Sequence, residues 1–288
     1  MPYASHDPLI TRQELFSHLG DTHWVVVDCR WSLAHPTLAH QAYQHAHIPG
    51  AWFMDMEVDL SGPKGTHGGR HPLPSADHWS SLMQRIGVGT STNVVAYDED
   101  GVGASRFWWL MNYFGHHHTY VLQGGIAQWQ QHGLPVTSQL PHAIEPAAPW
   151  NPTPDPDMIV GREDILHWMS EGHLPMMLDA RDPDRYAGKT EPLDPLPGHI
   201  PGARNLPWYQ TVQKPSQFID RNTLQETLHT PLRSESLHGA IVYCGSGVSA
   251  CVNALALHRL GYVARLYPGS WSDWTSYPNP PISPTVAD

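Results

Sequence analysis

The chain has 288 residues, of which 40% are hydrophobic and 15% are charged. These fractions are typical of a folded globular protein, and the length fits one large domain or two of ordinary size. The formal net charge of −11 argues against broad binding to nucleic acid or to anionic membranes, because phosphate contacts need clustered lysine and arginine. We find no leader-like start and no apolar stretch long enough to span a bilayer. We therefore expect a cytoplasmic protein without nucleic-acid or membrane partners.

Helical periodicity and short apolar runs alternate along the chain. In the first half we predict a Thr-capped helix at 10–20, strands at 24–30 and 94–98, an apolar helix at 105–115 and a strand at 119–125. In the second half we predict helices at 161–172 and 249–261, and strands at 176–181, 239–244 and 263–269. Short apolar strands separated by helices indicate a parallel sheet covered on both faces. The fold class predicted for each half is therefore α/β.

Four sequence blocks occur twice and in the same order. "WVVVDCR" at 24 pairs with "PMMLDAR" at 175, "HIPGA" occurs at 47 and 199, "VVAYDEDGVGAS" at 94 pairs with "AIVYCGSGVSAC" at 240, and "QGGIAQW" at 123 pairs with "PGSWSDW" at 268. Such self-similarity over a domain length indicates two homologous domains. We predict an N-terminal domain at 1–139, a proline-rich linker at 140–158 and a C-terminal domain at 159–288.

The three cysteines differ in their setting. So sparse a set forms no disulfide framework, and it includes no C-x-x-C pair for zinc. The 21 histidines are scattered, and the run at 116–118 lacks the spacing of a helical zinc site. We therefore predict no metal site. Cys29 and Cys251 fit small buried hydrophobic positions, whereas Cys244 falls at the junction of a strand and a loop.

Cys244 is the candidate nucleophile. The loop residues after it, Gly245, Ser246 and Gly247, are small enough to curl around the sulfur. Their backbone N–H groups, with the start of the following helix, would form a nest that favours a thiolate or a persulfide anion. Ligands of parallel sheets bind beyond the carboxyl ends of the strands, which is where Cys244 is predicted to lie. The first copy has Asp98 at the matching position.

The two-copy layout, the paired "HIPGA" blocks and the loop "CGSGVSA" resemble the tandem-domain rhodanese-like sulfurtransferases. Within them, the loop is most similar to that of 3-mercaptopyruvate sulfurtransferases, which usually reads C-G-S-G-V-T; Ser249 keeps the hydroxyl of the usual threonine. The resemblance implies an inactive first domain, marked by Asp98, and an active second domain. It further implies that Cys244 takes the sulfur of a small-molecule donor as a persulfide and passes it to a thiol, thioredoxin or cyanide, with no cofactor.

The resemblance also implies the remaining site residues. Arg185, in "DPDRYAG", would bind the substrate carboxylate, and the loop positions would surround the donor: Gly245, Gly247, Val248 and Ser249. His71, in "GGRHPLP", would form a proton relay with Ser246, and Glu57 would be its acidic partner. The second arginine that such enzymes carry after "T-E-P" is missing here, and neither Arg204 nor Lys189 aligns with it. We expect Arg70, Arg106 and Asp179 to hold the fold through buried ion pairs.

Two alternatives to a mercaptopyruvate sulfurtransferase stay open. Thiosulfate-preferring relatives resemble C-R-K-G-V-T, whereas this loop carries no charge, so mercaptopyruvate is the first choice and thiosulfate the second. A non-catalytic sulfur carrier or binding module is less favoured, because the small-residue loop is intact. A phosphatase with a C-x5-R loop is disfavoured, since position 250 is alanine.

Overall fold

The computed structural model describes residues 7–142, 148, 150–213, 215–229 and 237–283. Residues 143–147 and 149 of the predicted linker lie outside the described residues, as do 1–6 and 284–288 at the outer ends of the predicted domains. The chain divides into two compact units. Unit 1 comprises Met1–Gly62, Pro74–Asp155 and Val212–Phe218, and unit 2 comprises Pro63–Leu73, Pro156–Thr211 and Ile219–Asp288. Each unit thus includes one short segment from the other half of the sequence.

The first half of the chain alternates strands and helices. The strands are β1 (Leu9–Ile10), β2 (Trp24–Asp28), β3 (Trp52–Phe53), β4 (Asn93–Tyr97) and β5 (Thr119–Leu122). The helices are α1 (Arg12–Ser17), α2 (Pro36–His45), α3 (Ala76–Arg85), α4 (Val102–Tyr113) and α5 (Gly125–Gln131). Hydroxyl caps begin two of the helices: Thr11 Oγ1 accepts the Glu14 N–H at 3.2 Å, and Ser75 Oγ accepts the His78 N–H at 3.2 Å.

The second half repeats the alternation with shorter strands. These are β6 (Met177–Asp179), β7 (Arg204–Asn205), β8 (Val212–Gln213), β9 (Gln217–Phe218), β10 (Ile241–Tyr243) and β11 (Arg265–Leu266). The helices are α6 (Arg162–Glu171), α7 (Pro183–Tyr186), α8 (Arg221–His229), α9 (Ala250–Arg259) and α10 (Ser270–Trp274), with single 3-10 turns at Pro156–Met158 and Trp208–Gln210.

Each unit is built on a parallel sheet. In unit 1 the strand order is β1-β5-β4-β2-β3, with every neighbour parallel. In unit 2 the order is β11-β10-β6-β7, again all parallel. The central strands of both sheets are wholly buried apart from the first residue of β2 and of β4, as expected of strands covered on both faces. No described helix is long and apolar enough to cross a membrane.

The repeated sequence blocks have a structural role that is the same in both units. Asp28 and Arg30 form a buried ion pair at 2.6 Å, and Arg30 also donates to the Ala46 carbonyl at 2.8 Å, beside the first "HIPGA" block. Asp179 and Arg181 form the equivalent pair at 2.6 Å. Arg181 donates to the Gly198 carbonyl at 2.7 Å, beside the second block. The predicted buried ion pair of Asp179 is therefore confirmed.

Candidate active site

Cys244 follows the last residue of β10 and is 2% exposed. Its backbone is fixed by the turn that begins α10: the Cys244 N–H donates to Ser270 Oγ at 3.1 Å, and the Cys244 carbonyl accepts the Trp271 N–H at 3.0 Å. Ser270 has a φ of 55°, which is the left-handed region. The matching residue of the first copy is Gly125, with a φ of 53°. Serine at this position is strained in the left-handed region where glycine would not be, but its hydroxyl accepts the hydrogen bond that holds the Cys244 backbone.

Gly247 sets the curvature of the loop between Cys244 and α9. Its φ is 75°, and a Cβ added there would lie 2.3 Å from the Pro268 carbonyl oxygen. Only glycine satisfies both conditions, since the neighbouring atom is backbone and cannot move aside easily. Val248 is 2% exposed, and Ser249 immediately precedes α9. The close contact at Gly247 and the burial of Val248 therefore restrict the path of the loop.

The segment Pro63–Leu73 brings His71 to the loop within unit 2. Gly69 has a φ of 84°, and a Cβ there would lie 2.5 Å from the Gly269 carbonyl oxygen, so the glycine permits the close approach. The Arg70 N–H donates to Ser272 Oγ at 3.1 Å. The next residue, His71, is buried, and its Nδ1 lies 2.7 Å from Ser246 Oγ. The structure thus brings together the two residues of the predicted relay.

Arg185 also lies against the loop. Its Nη1 and Nη2 would each be 3.5 Å from a Cβ placed on Gly245. The guanidinium is held by two carboxylates: Nη2 donates to Glu191 Oε1 at 2.7 Å and to Asp194 Oδ2 at 3.2 Å. Burial raises the pKa of the Asp194 carboxyl, while Arg70 and Arg185 oppose that shift and Glu191 adds to it. The residue predicted to bind the substrate carboxylate is therefore next to the cysteine loop.

Glu57 is a residue of unit 1, where its N–H donates to Asp55 Oδ1 at 2.8 Å. Its pairing with His71 stays a prediction. Arg106 is buried in unit 1 and donates to the Leu60 carbonyl at 3.3 Å. Among the described residues, no group of three or more histidine, cysteine or carboxylate side chains could hold a metal ion.

The other two cysteines are in settings that disfavour reaction. Cys29 is fully buried just after β2, and burial, with a further contribution from Asp98, raises the pKa of its thiol well above the ordinary value. Cys251 is also fully buried, in the first turn of α9, and its Sγ donates to the Gly247 carbonyl at 3.4 Å. Of the three cysteines, Cys244 is the one that directly precedes the loop residues next to His71 and Arg185.

The loop of the first copy shows how such a nest holds a carboxyl group. Asp98 Oδ1 accepts the Gly101 N–H at 2.7 Å, and Oδ2 accepts the Ala104 N–H at 2.9 Å. Ser216 Oγ, from the segment Val212–Phe218, donates to Oδ1 at 3.0 Å. Burial raises the pKa of the Asp98 carboxyl to about 7, although these three donors oppose the shift. Gly101 and Ala104 align with Gly247 and Ala250 of the second copy.

Four residues of this site were not predicted from the sequence. Asp194, Glu191 and Ser270 were not considered, and Arg70 was assigned to the fold alone. Arg70 forms an ion pair with Asp194, whose side chain is 3% exposed. The Arg70 Nη2 atom would lie 2.8 Å from a Cβ placed on Gly245. Adjacency to His71 was the available signal for Arg70. For Ser270, the available signal was its alignment with Gly125, because a serine in place of a glycine adds a hydroxyl next to the loop.

Comparisons with known proteins agree with these features. The sequence profile of the rhodanese-like domain matches residues 11–132 and 162–277. A probable 3-mercaptopyruvate sulfurtransferase of Pseudomonas aeruginosa is 36% identical over 280 residues, covering 96% of this chain and 97% of the relative. Thiosulfate/3-mercaptopyruvate sulfurtransferase 2 of Arabidopsis thaliana is 33% identical over 310 residues, covering 98% and 88%.

Among solved structures, the 3-mercaptopyruvate sulfotransferase SseA of Escherichia coli is similar, with a TM-score of 0.78 and 31% identity; the match covers 93% of this chain and 100% of SseA. The predicted α/β fold and the predicted family are both confirmed by these matches. With two matched domains and close relatives along nearly its whole length, the chain belongs to the family of proteins with rhodanese-like domains.

Proposed function

We propose that this protein is a sulfurtransferase that takes the sulfur of 3-mercaptopyruvate onto Cys244 and passes it to a thiol or to cyanide. The observation that carries the proposal is the convergence on the Cys244 loop of the buried His71–Ser246 pair and the carboxylate-held Arg185. Relatives that match almost the whole chain and are named for this activity support it.

In the first half-reaction the Cys244 thiolate attacks the donor sulfur. A sulfur–sulfur bond forms, the carbon–sulfur bond of mercaptopyruvate breaks, and its electron pair goes to the enolate of pyruvate. The proton of the donor thiol must reach the carbon of that enolate to give pyruvate. Ser246 and His71 can carry it, because their hydrogen bond is 2.7 Å long and both residues are shielded from water.

In the second half-reaction an acceptor thiolate or cyanide attacks the outer sulfur of the persulfide and restores the Cys244 thiolate. The backbone N–H groups of the loop stabilise the persulfide anion between the two steps. In the first copy the carboxyl group of Asp98 takes the place expected for the persulfide, and the backbone N–H groups of Gly101 and Ala104 donate to it. The chemistry needs no metal or organic cofactor. The physiological acceptor, whether thioredoxin or a small thiol, stays a prediction.

The balance of charge favours mercaptopyruvate over thiosulfate. The loop itself carries no charge, and the guanidinium groups of Arg70 and Arg185 lie beside Gly245. The charge of Arg185 was predicted at this site, whereas that of Arg70 was not. Both pair with Asp194, and Arg185 also pairs with Glu191. Two arginines are thus matched by two carboxylates. A dianion such as thiosulfate would meet no net positive charge, whereas a monoanion needs only oriented donors.

The ratio of kcat/KM for the two donors, with cyanide as acceptor, tests the proposal. We expect thiocyanate from both donors and a higher kcat/KM for mercaptopyruvate, because the charges at the loop cancel. A higher value for thiosulfate would make the protein a thiosulfate sulfurtransferase. If neither donor gives thiocyanate, the protein is not a sulfurtransferase, and the remaining candidate is a non-catalytic sulfur carrier or binding module.

A His71→Gln substitution tests the relay. We expect kcat with mercaptopyruvate to fall by roughly 100-fold or more, since proton transfer to the enolate carbon loses its carrier. Transfer from thiosulfate should change little, because its leaving group, sulfite, needs no proton on carbon. The measurement is kcat for both donors. An equal loss with both would show that His71 only holds the loop in place.

The predicted boundaries at 139, 140–158 and 159 stay predictions, and so does the cytoplasmic location. The experiments on substrate, acceptor and residue roles do not depend on these boundaries or on the location.

A further inference from the structure

Two backbone N–H groups of the segment Pro63–Leu73 donate to side chains of α10. The Gly68 N–H donates to Asp273 Oδ1 at 2.7 Å, and the Arg70 N–H donates to Ser272 Oγ at 3.1 Å. Both donors lie within three residues of the histidine of the relay. These hydrogen bonds therefore restrict how the chain carries that histidine to the cysteine loop.

Asp273 is the charged member of these contacts, and it is 5% exposed. Its other carboxylate oxygen, Oδ2, accepts the Tyr267 hydroxyl at 2.6 Å, and its backbone N–H donates to the Gly269 carbonyl at 3.1 Å. The carboxylate is thus held from a second side while it accepts the Gly68 N–H. A hydrogen bond to a charged acceptor is roughly twice as strong as a neutral one, so this contact is the stronger of the two that hold the segment.

The first copy contains a matching contact. Gln128 of α5 aligns with Asp273 through the paired blocks "QGGIAQW" and "PGSWSDW". Its Nε2 donates to Gln217 Oε1 at 2.5 Å, and Ser216, the residue before Gln217, donates to Asp98. In each unit, one aligned helix position therefore binds the segment whose side chain reaches the residue at the end of the central strand. The two side chains differ in chemistry, but their place in the arrangement is the same.

We propose that Asp273 is a positioning residue for the proton relay. By accepting the Gly68 N–H it fixes the path of the segment that carries His71, whose Nδ1 lies 2.7 Å from Ser246 Oγ. The inference rests on the proposed function, which makes His71 and Ser246 the carriers of the proton. Proton transfer needs the two heavy atoms within about 2.6–3.2 Å, so a small displacement of the segment should interrupt the relay.

Asp273→Ala should lower kcat with mercaptopyruvate roughly 10- to 100-fold, since misplacing a reacting group by about 1 Å has an effect of that size. Transfer from thiosulfate should change little, because its leaving group needs no proton on carbon. Asp273→Asn should keep most of kcat, since its amide carbonyl can still accept the Gly68 N–H. The measurement is kcat for both donors with cyanide as acceptor. Equal losses with both donors, no loss with mercaptopyruvate, or an Asp273→Asn protein as slow as Asp273→Ala would overturn the assignment.

Gln128→Ala is the matched control, because it removes the aligned contact in unit 1 and leaves the relay of unit 2 intact. Its kcat should equal that of the parent protein with both donors. A double-mutant cycle then separates positioning from a general loss of structure. In a protein that already carries His71→Gln, Asp273→Ala should lower kcat with mercaptopyruvate no further. A second loss of the same size would show that Asp273 acts independently of His71, contrary to the inference.

A second variant avoids leaving a buried hydroxyl without its partner. Tyr267→Phe combined with Asp273→Leu replaces both buried polar groups by apolar groups of similar shape, which costs less stability than the loss of one partner. Relative to Tyr267→Phe alone, kcat with mercaptopyruvate should again fall roughly 10- to 100-fold. If the single and the double variant have the same kcat, Asp273 does not position the relay.

A measurement on His71 itself keeps this inference separate from the proposed function. The NMR resonance of isotope-labelled His71 Nδ1, assigned by its absence from His71→Gln, reports the hydrogen bond with Ser246 without any turnover. Ser246→Ala gives the position of the resonance when that bond is absent. We expect Asp273→Ala to move the resonance toward this position and Gln128→Ala to leave it unchanged. A shift supports the inference even if the protein transfers no sulfur, and an unchanged resonance contradicts it even if the protein is an active sulfurtransferase.

Discussion

A Cys244→Ser protein is expected to lose sulfur transfer from every donor, with kcat falling by roughly 10⁴-fold or more. Serine fits the space and can keep the backbone hydrogen bonds of the loop to Ser270 and Trp271. Its hydroxyl does not ionise near neutral pH and forms no stable bond to sulfur, so no persulfide can be stored. The measurements are thiocyanate formation and the intact mass of the protein after treatment with mercaptopyruvate.

Cys29→Ala is the matched control for this substitution. Cys29 is equally buried but belongs to unit 1, so its removal should cost some stability and leave turnover and mass gain intact. The parent protein should gain the mass of one sulfur atom, and Cys244→Ser should gain none. Sulfur retained by Cys244→Ser would assign the persulfide to another residue.

The second large effect is expected from Gly247→Ala. A left-handed backbone costs a residue with a Cβ roughly 1–2 kcal/mol, and here the new Cβ would also lie 2.3 Å from the Pro268 carbonyl oxygen. The loop must shift to relieve this contact, which moves Cys244 relative to Ser246 and Arg185. We expect kcat/KM to fall by roughly 100-fold, as misplacement of reacting groups by about 1 Å does.

Gly261→Ala provides the control for the backbone cost alone. Gly261 follows α9, has a φ of 84°, and has no atom within 4 Å of an added Cβ. The Gly261→Ala protein should lose about as much conformational stability from the left-handed backbone as the Gly247→Ala protein, and it should keep its activity. The comparison uses kcat/KM and the free energy of unfolding from urea titration. Equal activities for the two variants would show that the loop tolerates the displacement.

Much of the fold could be predicted from the sequence because four sequence blocks occur in both halves of the chain. The repeated blocks identified the central strands β2, β4, β6 and β10 and the apolar helices α4 and α9 correctly. The amphipathic helices α2 and α3 were not predicted, since their surfaces are mostly polar and they occur within long loop-like stretches. The strands β1, β3, β7, β8 and β9 have two residues each, which is too short for a periodic signal. The equally short β11 lies within the strand predicted at 263–269.

The site could be predicted where it depends on local sequence. Cys244, Ser246 and Gly247 follow a strand within four residues, so they lie close together because they are close in sequence. Arg70 and Asp194 were out of reach, because 124 residues separate them and their pairing depends on how the segment Pro63–Leu73 packs in unit 2. The missing second arginine was a correct observation. The position of Arg70 beside Gly245 is visible only in the tertiary structure.

The exchange of short segments between the two halves of the sequence has an evolutionary consequence. The first copy has Asp98 at the position of Cys244, and a duplicated domain with no catalytic role of its own would ordinarily be free to diverge or to be deleted. Pro63–Leu73, however, belongs to unit 2 and carries two side chains that face its reactive loop, Arg70 and His71. Val212–Phe218 in turn supplies Ser216, which donates to Asp98. Deleting either half of the sequence would therefore also remove a segment of the unit that the other half builds, which selects against loss of the first copy.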